Sequence, residues 1–361
     1  MQPYVPVHLG LTFAIFAAAI APASDLPNPF RRFDVNDDNK ITREEAPENV
    51  RDRIFPRFDA NGDGFLDLAE LRNVTGSSAK KRATTDGTPP SREPAVVETH
   101  GLVETMLALE YASGADYGDK HGKLDVYLPK GRSNFPFIVF YHGGGLTQGD
   151  KGALVHVANR FVMHGFGVAA VNYRLAPEVQ YPAFVEDSSK ALRYIYDFLP
   201  KWGGDRDRIY LSGGSAGGYL SISLTLNERH LKDVGLSQSN IRASAPISAL
   251  MDVALAGPRL SVVWKDDPAT IKDASPMTYV RADAPPMLIM FADGETEDRH
   301  SQNVRMYEAL KAEGAKVRMK ELRNRTHTTI RPNFSREGDP ALAAMLDFLA
   351  ENGAPSNPLR P

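Results

Sequence analysis

Short apolar segments alternate with amphipathic segments through most of the chain after residue 120. The apolar segments have the length and the β-branched and aromatic content of strands. They lie at Leu124–Leu128, Phe137–Tyr141, Val168–Tyr173, Ile209–Ser212, Ala243–Ile247, Met287–Phe291 and Val317–Leu322. The amphipathic segments predict helices at Leu154–His164, Asp187–Leu199, Ala216–Leu226, Ser301–Glu313 and Pro340–Leu349. This alternation predicts an α/β fold, a mostly parallel sheet with helices on both faces and ligands at the carboxyl ends of its strands.

The N-terminus carries a different apolar pattern. The run from Leu9 to Ala21 is too short to cross a bilayer comfortably and is followed by the small-residue pattern Ala21-Pro22-Ala23. It predicts a signal peptide over residues 1–23 and a secreted or periplasmic protein, with an uncleaved anchor or a buried helix as the alternatives. Nothing later in the sequence is apolar for long enough to span a membrane.

An aspartate-rich pattern occurs twice within residues 25–73, with oxygen-bearing side chains at alternate positions. This spacing lets one tight loop turn several oxygens towards a hard cation such as Ca²⁺. The predicted ligands are Asp34, Asn36, Asp38, Lys40 and Glu45 in the first loop and Asp59, Asn61, Asp63, Phe65 and Glu70 in the second, with Lys40 and Phe65 contributing backbone carbonyls. Gly64 suits the sharp turn of the second loop, whereas Asn39 at that position predicts a weaker first site.

The repeated loop resembles the EF-hand family, which implies a small α-helical module with structural Ca²⁺. Ile41 and Leu66 occupy equivalent positions and are expected to pack against each other between the paired loops. Pro47 and Pro56 interrupt the connecting helix, so a calmodulin-like opening is not expected. An acidic surface turn without a metal is the alternative.

Composition indicates where the two predicted domains are joined. Residues 74–95 are rich in Ser, Thr, Gly, Pro and Lys and predict a flexible linker before a larger domain at residues 96–355.

The 42 basic and 45 acidic residues leave a net charge of −3, which lacks the basic excess of nucleic-acid-binding surfaces. The absence of cysteine excludes disulfides, a thiolate nucleophile and cysteine-ligated metals.

The strand that ends at Ser212 runs into Gly213-Gly214-Ser215-Ala216-Gly217 and then into a predicted helix. This is the strand–turn–helix context in which a nucleophilic serine sits on a sharp turn with its hydroxyl exposed. Side chains at Gly213 and Gly217 are expected to collide across the turn. A glycine-rich loop that binds phosphate at a helix N-terminus is the alternative.

Two further groups follow strands. His142-Gly143-Gly144-Gly145 comes directly after Phe137–Tyr141, so the N–H groups of Gly144, Gly145 and Ala216 are candidates for an oxyanion hole. His327 follows the last predicted strand, where the base of a Ser, acid, His order is expected, whereas His300 precedes a helix. The carboxylate should follow Met287–Phe291, but charge alone does not choose among the acidic residues there, Asp293, Glu295, Glu297 and Asp298.

Several longer motifs carry a family resemblance: HGGG at 142–145, VNYRLAPEVQYPA at 171–183, WGGDRDRIYLSGGSAGG at 202–218 and ASPMTYVRADAPPMLIM at 274–290. Over about residues 124–350 the chain resembles α/β-hydrolases of the hormone-sensitive-lipase-like group, close also to the kynurenine-formamidase-like carboxylesterases. The resemblance implies an α/β-hydrolase fold with Ser215 as nucleophile, Gly144, Gly145 and Ala216 as oxyanion donors, and His327 as base. It places the acid at Glu295, where related enzymes usually carry aspartate, with Asp293 and Asp298 in reserve.

The function expected from the sequence is that of a secreted serine carboxylesterase with structural Ca²⁺ and no cofactor for catalysis. Its substrates are expected to be small or medium acyl esters, including acylated glycans. An arylformamidase or amidase, or a Ca²⁺-dependent binding protein with impaired catalysis, are the alternatives. Asp187 is expected to cap a helix start, and Arg259–Lys272 to belong to a cap over the pocket.

Overall fold

The computed structural model describes residues 98–330, 334, 336 and 338–354, together with residues 33, 40–43, 45, 46, 51, 54, 55, 58, 59, 64–67, 70 and 71. The chain divides into two compact units, residues 1–89 and residues 90–361. The predicted signal peptide at 1–23 and the predicted linker at 74–95 lie outside the described residues. Within the described part of the chain, no helix is both long enough and apolar enough to cross a bilayer.

The first unit contains two short strands, β1 (Lys40–Thr42) and β2 (Phe65–Asp67), which pair in antiparallel orientation. Ile41 lies opposite Leu66 in this pair, and both side chains are fully buried. They belong to one apolar cluster with Phe55 and Leu71. The expected packing of the two equivalent apolar positions is therefore confirmed.

The second unit contains a nine-stranded sheet. Its strands are β3 (Glu98–His100), β4 (Val103–Glu110), β5 (Lys123–Pro129), β6 (Phe135–Tyr141), β7 (Gly167–Val171), β8 (Gly204–Gly214), β9 (Ala243–Ile247), β10 (Met287–Gly294) and β11 (Val317–Thr326). Their order in the sheet is β11-β10-β9-β8-β6-β7-β5-β4-β3. Along this order, every neighbouring pair from β11 through β6 to β7 is parallel. The pairs β7–β5, β5–β4 and β4–β3 are antiparallel. The predicted mostly parallel sheet is confirmed.

Helices cover both faces of this sheet. The α-helices are α1 (Val155–Met163), α2 (Ala183–Phe198), α3 (Ala216–Leu226), α4 (Arg229–Lys232), α5 (Leu260–Val263), α6 (Pro268–Ala274), α7 (Glu297–Ala312) and α8 (Pro340–Glu351). Short 3-10 helices lie at Ala115–Tyr117, Lys151–Leu154, Gln238–Asn240, Val253–Leu255, Gly257–Arg259 and Pro276–Tyr279.

The strand β6 shows how the two layers are built. Phe137 and Val139 pack into an apolar cluster with residues of α2 and α3, whereas Ile138 and Phe140 pack into a second cluster with residues of α1 and α8. Successive side chains of a strand point to opposite faces, so a strand covered on both faces is apolar throughout. All seven residues of β6 are buried.

The strands β3 and β4 were not predicted. The sequence of β4, VETMLALE, contains Glu, Leu, Met and Ala, which favour helices, and several of its side chains are exposed. The pairing of β4 with β5 shifts register between Met106 and Leu109. At this irregularity the Ala108 N–H donates a hydrogen bond of 2.8 Å to the side-chain carboxylate of Asp125, a residue of β5. Pairing with β5 therefore outweighs local preference here.

The expectation that Asp187 caps a helix is wrong. The helix α2 begins at Ala183, so Asp187 lies inside it and its side chain is fully buried. Its carboxylate accepts hydrogen bonds from the Arg174 N–H (3.0 Å), from the Arg174 guanidinium (2.8 Å to each oxygen) and from the Tyr117 hydroxyl (2.7 Å). Asp187 thus joins α2 to the segment that leaves β7. The helix α7 likewise begins at Glu297, four residues before the predicted start.

We predict that Asp187→Ala lowers the free energy of unfolding by about 3–5 kcal/mol, because it leaves the partly buried Arg174 guanidinium without its counter-charge. Urea denaturation followed by circular dichroism measures this change. Asp197→Ala is the matched control, since Asp197 pairs with Arg193 on the same helix but both side chains are about two-fifths exposed. Exposed pairs contribute less than about 1 kcal/mol. Equal losses in the two variants would contradict the role of the buried pair.

Candidate active site

Ser215 occupies a sharp turn between the end of β8 at Gly214 and the start of α3 at Ala216. Its backbone has φ 55° and ψ −112°, a conformation that a residue with a side chain rarely adopts. Two backbone hydrogen bonds hold it there. The Ser215 N–H donates to the Ile247 carbonyl (2.8 Å), and the Ser215 carbonyl accepts from the Tyr219 N–H (2.9 Å). The surrounding structure therefore fixes the hydroxyl at the carboxyl end of the sheet.

The glycines on either side of Ser215 are required by close backbone approach. A β-carbon at Gly213 would lie 2.4 Å from the carbonyl carbon of Gly217, and one at Gly217 would lie 1.9 Å from the Tyr141 carbonyl oxygen. Both obstacles are main-chain atoms that cannot move aside independently. The predicted collision across the turn is confirmed.

Three side chains from separate strand ends meet in one hydrogen-bonded chain. His327 follows the last residue of β11, and Glu295 follows the last residue of β10. The distance from His327 Nε2 to Ser215 Oγ is 2.9 Å, and His327 Nδ1 lies 2.9 Å and 3.1 Å from the two oxygens of Glu295. The Glu295 side chain is 2% exposed and the His327 side chain is 37% exposed. A buried carboxylate thus orients an imidazole that faces solvent.

The other acidic residues after β10 have different partners. The Asp293 carboxylate accepts hydrogen bonds from the N–H groups of Asn324 (2.9 Å) and Arg325 (3.1 Å), within the strand that leads to His327. Asp298 lies in the first turn of α7, where a negative charge is favoured by the helix dipole. The structure therefore places Glu295 at the imidazole, and neither reserve candidate.

His300 is separate from this group. Its Nε2 atom lies 2.8 Å from a Glu321 oxygen, and its ring packs edge-on against Phe291. Neither of these contacts involves Ser215 or Glu295. His327, which the sequence favoured over His300, is the histidine that the structure brings to Ser215.

The ionisation of Glu295 is set by competing effects. Burial alone would raise the pKa of Glu295, but its hydrogen bond with His327 and the nearby charge of Arg299 outweigh burial and lower the pKa below its usual value. The carboxylate is therefore ionised at neutral pH. An ionised carboxylate at Nδ1 holds the imidazole in the tautomer whose Nε2 can accept a proton, and it stabilises the imidazolium that results.

Backbone N–H groups without protein acceptors lie beside Ser215. The N–H groups of Gly144 and Gly145 donate to no acceptor in the described part of the chain. Ala216 is the first residue of α3, so its N–H has no partner within the helix. Gly145 and Ala216 line the same cavity as Ser215, and Gly144 directly precedes Gly145 in the chain. These groups can stabilise negative charge on a substrate oxygen.

The glycines in this loop are also required. Gly144 has φ 129°, and a β-carbon there would lie 1.9 Å from the Gln148 carbonyl oxygen. Gly145 has φ 68°, which favours glycine, whereas the Arg259 guanidinium that a β-carbon there would meet is flexible and can move aside. His142 supports the loop, because its ring stacks on Tyr173 with 4.3 Å between centroids.

The cavity beside Ser215 is small and largely apolar. Its free volume is about 20 Å³, room for about one water molecule. Leu146, Leu250 and Trp264 contribute apolar walls. The indole N–H of Trp264 donates to the Tyr219 hydroxyl (3.1 Å), which donates to the Ala274 carbonyl (3.0 Å). The predicted cap segment therefore contributes a wall that is hydrogen-bonded to α3.

Sequence reasoning missed two charged residues of this cavity, Arg259 and Arg299. Arg259 lies in the predicted cap segment, and Arg299 lies in the first turn of α7, so both are near recognised motifs. No spacing in the sequence indicates that they share one cavity. Their convergence depends on the tertiary fold.

The candidate metal site of the first unit is described only in part. Lys40, Glu45, Asp59, Phe65 and Glu70 are described, whereas the predicted ligands Asp34, Asn36, Asp38, Asn61 and Asp63 lie outside the described residues. Within the described set, no group of three or more metal-binding side chains comes together.

The described atoms of the second loop fit a cation nevertheless. Asp59 Oδ2 accepts a hydrogen bond from the Gly64 N–H (3.1 Å), while Asp59 Oδ1 is buried and has no hydrogen-bond partner among the residues that the structure describes. A buried oxygen without a partner costs free energy unless a ligand satisfies it. Gly64 has φ 85°, the left-handed conformation predicted for the turn.

The two loops end in the same local structure. The Thr42 N–H donates to the Glu45 carboxylate (2.8 Å) and the Glu45 N–H donates back to the Thr42 hydroxyl (3.2 Å). Asp67 and Glu70 exchange the equivalent pair of bonds at 3.2 Å and 3.0 Å. Each pair is the reciprocal capping arrangement of a helix start. It orients Glu45 and Glu70, the last predicted ligand of each loop.

Comparison with known proteins supports both units. The sequence pattern of the BD-FAE family matches residues 124–310, more than half of the chain, and that of the EF hand matches residues 29–45 and 50–75. Esterase LipQ of Mycobacterium tuberculosis is 27% identical over 232 residues, covering 58% of this chain and 55% of LipQ. Carboxylesterase NlhH of the same organism is 43% identical over 115 residues, covering 30% of this chain and 34% of NlhH. The chain thus spans about half the length, or less, of these curated relatives.

Solved structures show the same fold. An esterase from Pyrobaculum calidifontis has a TM-score of 0.53 and 25% identity, covering 64% of this chain and 80% of that chain. A truncated carbohydrate esterase from gut microbiota has a TM-score of 0.59 and 22% identity, covering 69% of this chain and 95% of that chain. The predicted α/β-hydrolase fold and the predicted relationship to carboxylic ester hydrolases are confirmed.

Proposed function

We propose that this chain, which belongs to the BD-FAE family, is a serine carboxylesterase that forms an acyl-enzyme on Ser215. The observation that carries the proposal is the continuous hydrogen-bonded chain from Glu295 through His327 to Ser215. Beside it lie the N–H groups of Gly144, Gly145 and Ala216, for which the described part of the chain holds no acceptor. Nucleophile, base, orienting acid and oxyanion donors are the parts that acyl transfer requires.

In the proposed mechanism, His327 Nε2 accepts the Ser215 proton as Oγ attacks the ester carbonyl carbon. The N–H groups of Gly144, Gly145 and Ala216 stabilise the negative charge that develops on the carbonyl oxygen. The ionised Glu295 stabilises the imidazolium. The tetrahedral intermediate then expels the alcohol, which takes the proton from His327. Water attacks the acyl-enzyme in the same way and releases the carboxylic acid and the free serine.

Two features of the site support a proposal for the acyl group and for the alcohol group of the substrate. The free volume of about 20 Å³ beside Ser215 supports short acyl groups such as acetyl. The 37% exposure of the His327 side chain supports a leaving alcohol that extends into solvent. Small alcohols and bulky polar alcohols both satisfy this condition, so we propose acylated glycans among the substrates, with small-molecule esters.

The enzyme is expected to hydrolyse p-nitrophenyl acetate with a kcat/KM at least about 10-fold above that for p-nitrophenyl octanoate, because each extra methylene must fit beside a small cavity. Initial rates followed at 405 nm measure both constants. Xylan oligomers with and without acetyl groups, assayed by acetate release, test the glycan alcohols. A preference for octanoate would contradict the short-acyl proposal while leaving the esterase proposal intact.

Variants test the roles of the residues in the same assay. Ser215→Ala is expected to abolish labelling by a fluorophosphonate probe and to lower kcat by about 10⁴-fold or more. His327→Gln is expected to lower kcat by a similar factor, whereas the matched control His300→Gln is expected to stay within about threefold of the unmodified chain. Labelling that persists in Ser215→Ala, or equal losses in the two histidine variants, would move the catalytic centre elsewhere.

For the first unit we propose two Ca²⁺ sites with a structural role. Support comes from the EF-hand match and from the buried Oδ1 atom of Asp59, which has no hydrogen-bond partner within the described residues. The residues that would hold the ion are the ten predicted ligands of the two loops, and the ion would supply a positive charge that their oxygens share. All the proposed catalytic residues belong to the other unit. A role for the ion in the reaction is therefore not part of the proposal.

Addition of 5 mM Ca²⁺ is expected to stabilise the first unit by about 1–3 kcal/mol if its dissociation constant lies in the range of about 10⁻⁴–10⁻³ M typical of extracellular EF-hand modules. Differential scanning calorimetry with Ca²⁺ and with EGTA measures the shift, and titration calorimetry measures binding. Asp59→Ala should reduce the shift. The absence of heat from Ca²⁺ binding at millimolar concentration, or a large change of kcat with chelator, would contradict the structural role.

We further propose that the protein is exported, on the strength of the apolar run from Leu9 to Ala21 and the small residues that follow it. Expression of the full chain in an exporting bacterial host is expected to yield a mature protein that begins near Ser24. Intact-mass spectrometry of the secreted or periplasmic fraction measures this. Recovery of the chain with Met1 and residues 2–23 still attached would refute cleavage.

A further inference from the structure

Two arginines enter the cavity that contains Ser215. Arg299 lies in the first turn of α7, four residues after Glu295, and one of its guanidinium nitrogens donates to the Ser248 carbonyl (3.2 Å). Arg259 ends the short helix Gly257–Arg259, and its guanidinium lies against Gly145. Both residues line the cavity with Ser215. Two cationic side chains therefore line the cavity that contains the proposed nucleophile.

The positive charge in this cavity is only partly compensated. Burial and the nearby positive charge of Arg259 lower the pKa of Arg299, while Glu295 acts in the opposite direction. Both oxygens of Glu295 are already within hydrogen-bond distance of His327. Arg259 makes no hydrogen bond and no ion pair in the described part of the chain. The carboxylate that acts on Arg299 is therefore already engaged by the imidazole, and Arg259 adds a second positive charge beside it.

A bound anion would relieve the repulsion between these two like charges. Arg259 is an exposed residue, so its guanidinium N–H groups are open to water or to a ligand. A ligand carboxylate would supply the missing negative charge and accept two parallel N–H bonds from a guanidinium fork. The remaining cavity wall is apolar at Leu146, Leu250 and Trp264, so the charge would be recognised at a defined position.

We infer that Arg259 and Arg299 make the active site selective for esters that carry a carboxylate close to the scissile bond. This inference rests on the proposed esterase function. The carboxylate can belong to the acyl part, as in a hemiester of a dicarboxylic acid, or to the alcohol part, as in an acetylated hydroxy acid. In both cases the same guanidinium groups bind the anion and place the ester carbonyl at Ser215.

The experiment compares charged esters with neutral partners of nearly the same shape. Monophenyl succinate and methyl phenyl succinate differ in charge on the acyl side. 4-Acetoxybenzoate and methyl 4-acetoxybenzoate differ in charge on the alcohol side. For each pair, the ratio of kcat/KM for the charged ester to kcat/KM for the neutral ester is measured at low ionic strength.

The ratio is then compared between variants, which removes differences in intrinsic reactivity between the esters. Arg259→Gln is expected to lower the ratio about 10-fold to 100-fold for the pair whose carboxylate it binds, because a hydrogen bond to a charged group is lost. Arg299→Gln is expected to lower the ratio as well, and Arg299→Lys to restore part of it. Arg305→Gln is the matched control, because Arg305 lies on α7 and faces Asp252 at 3.8 Å, outside the cavity.

Each outcome has a distinct meaning. A ratio that falls in Arg259→Gln and Arg299→Gln but not in Arg305→Gln supports the inference, and the pair affected identifies the acyl or the alcohol side. Hydrolysis of the neutral esters with the same ratio in all five proteins, the unmodified chain and its four variants, overturns the inference and leaves the esterase proposal standing. Failure to hydrolyse any of the four esters overturns both.

Discussion

The backbone at Ser215 is the constraint on which the rest of the site depends. A serine with φ 55° between β8 and α3 is held by hydrogen bonds to β9 and to the first turn of α3, and it persists only because the adjacent glycines let three main-chain segments pack at contact distance. The hydroxyl consequently projects from the carboxyl end of the sheet. Imidazole and carboxylate reach it from two further strand ends, and the glycine loop after β6 faces it with bare peptide groups.

Local chemistry explains why much of this could be predicted. The strands β6, β7, β9 and β10 are short and largely apolar because they are buried within the sheet, and their sequences show it. Gly213 and Gly217 are visible in the sequence because a backbone contact of this kind admits no other residue. His327 is identified by its place after the last strand. These features are fixed by a few neighbouring residues, so a sequence pattern contains them.

Other features depend on residues far apart in the chain. Local preference at β4 favours a helix, and only pairing with β5 makes a strand of it. Asp187 looks like a cap until Arg174 and Tyr117 are placed against it. Several acids follow β10, and the family resemblance named Glu295 with two reserves. Its position at His327 depends on the relative placement of β10 and β11. No sequence feature near Arg259 or near Arg299 indicates that the two side chains line the same cavity.

The hydrogen bonds from Trp264 to Tyr219 and from Tyr219 to the Ala274 carbonyl bear on how a substrate enters. Trp264 and Tyr219 are buried, and Tyr219 belongs to the helix that starts at the nucleophile turn. Displacing the indole would break a buried hydrogen bond and open a void beside α3. The wall formed by Trp264 is therefore in place before a substrate binds, and under the proposed function its existing shape would limit the acyl group.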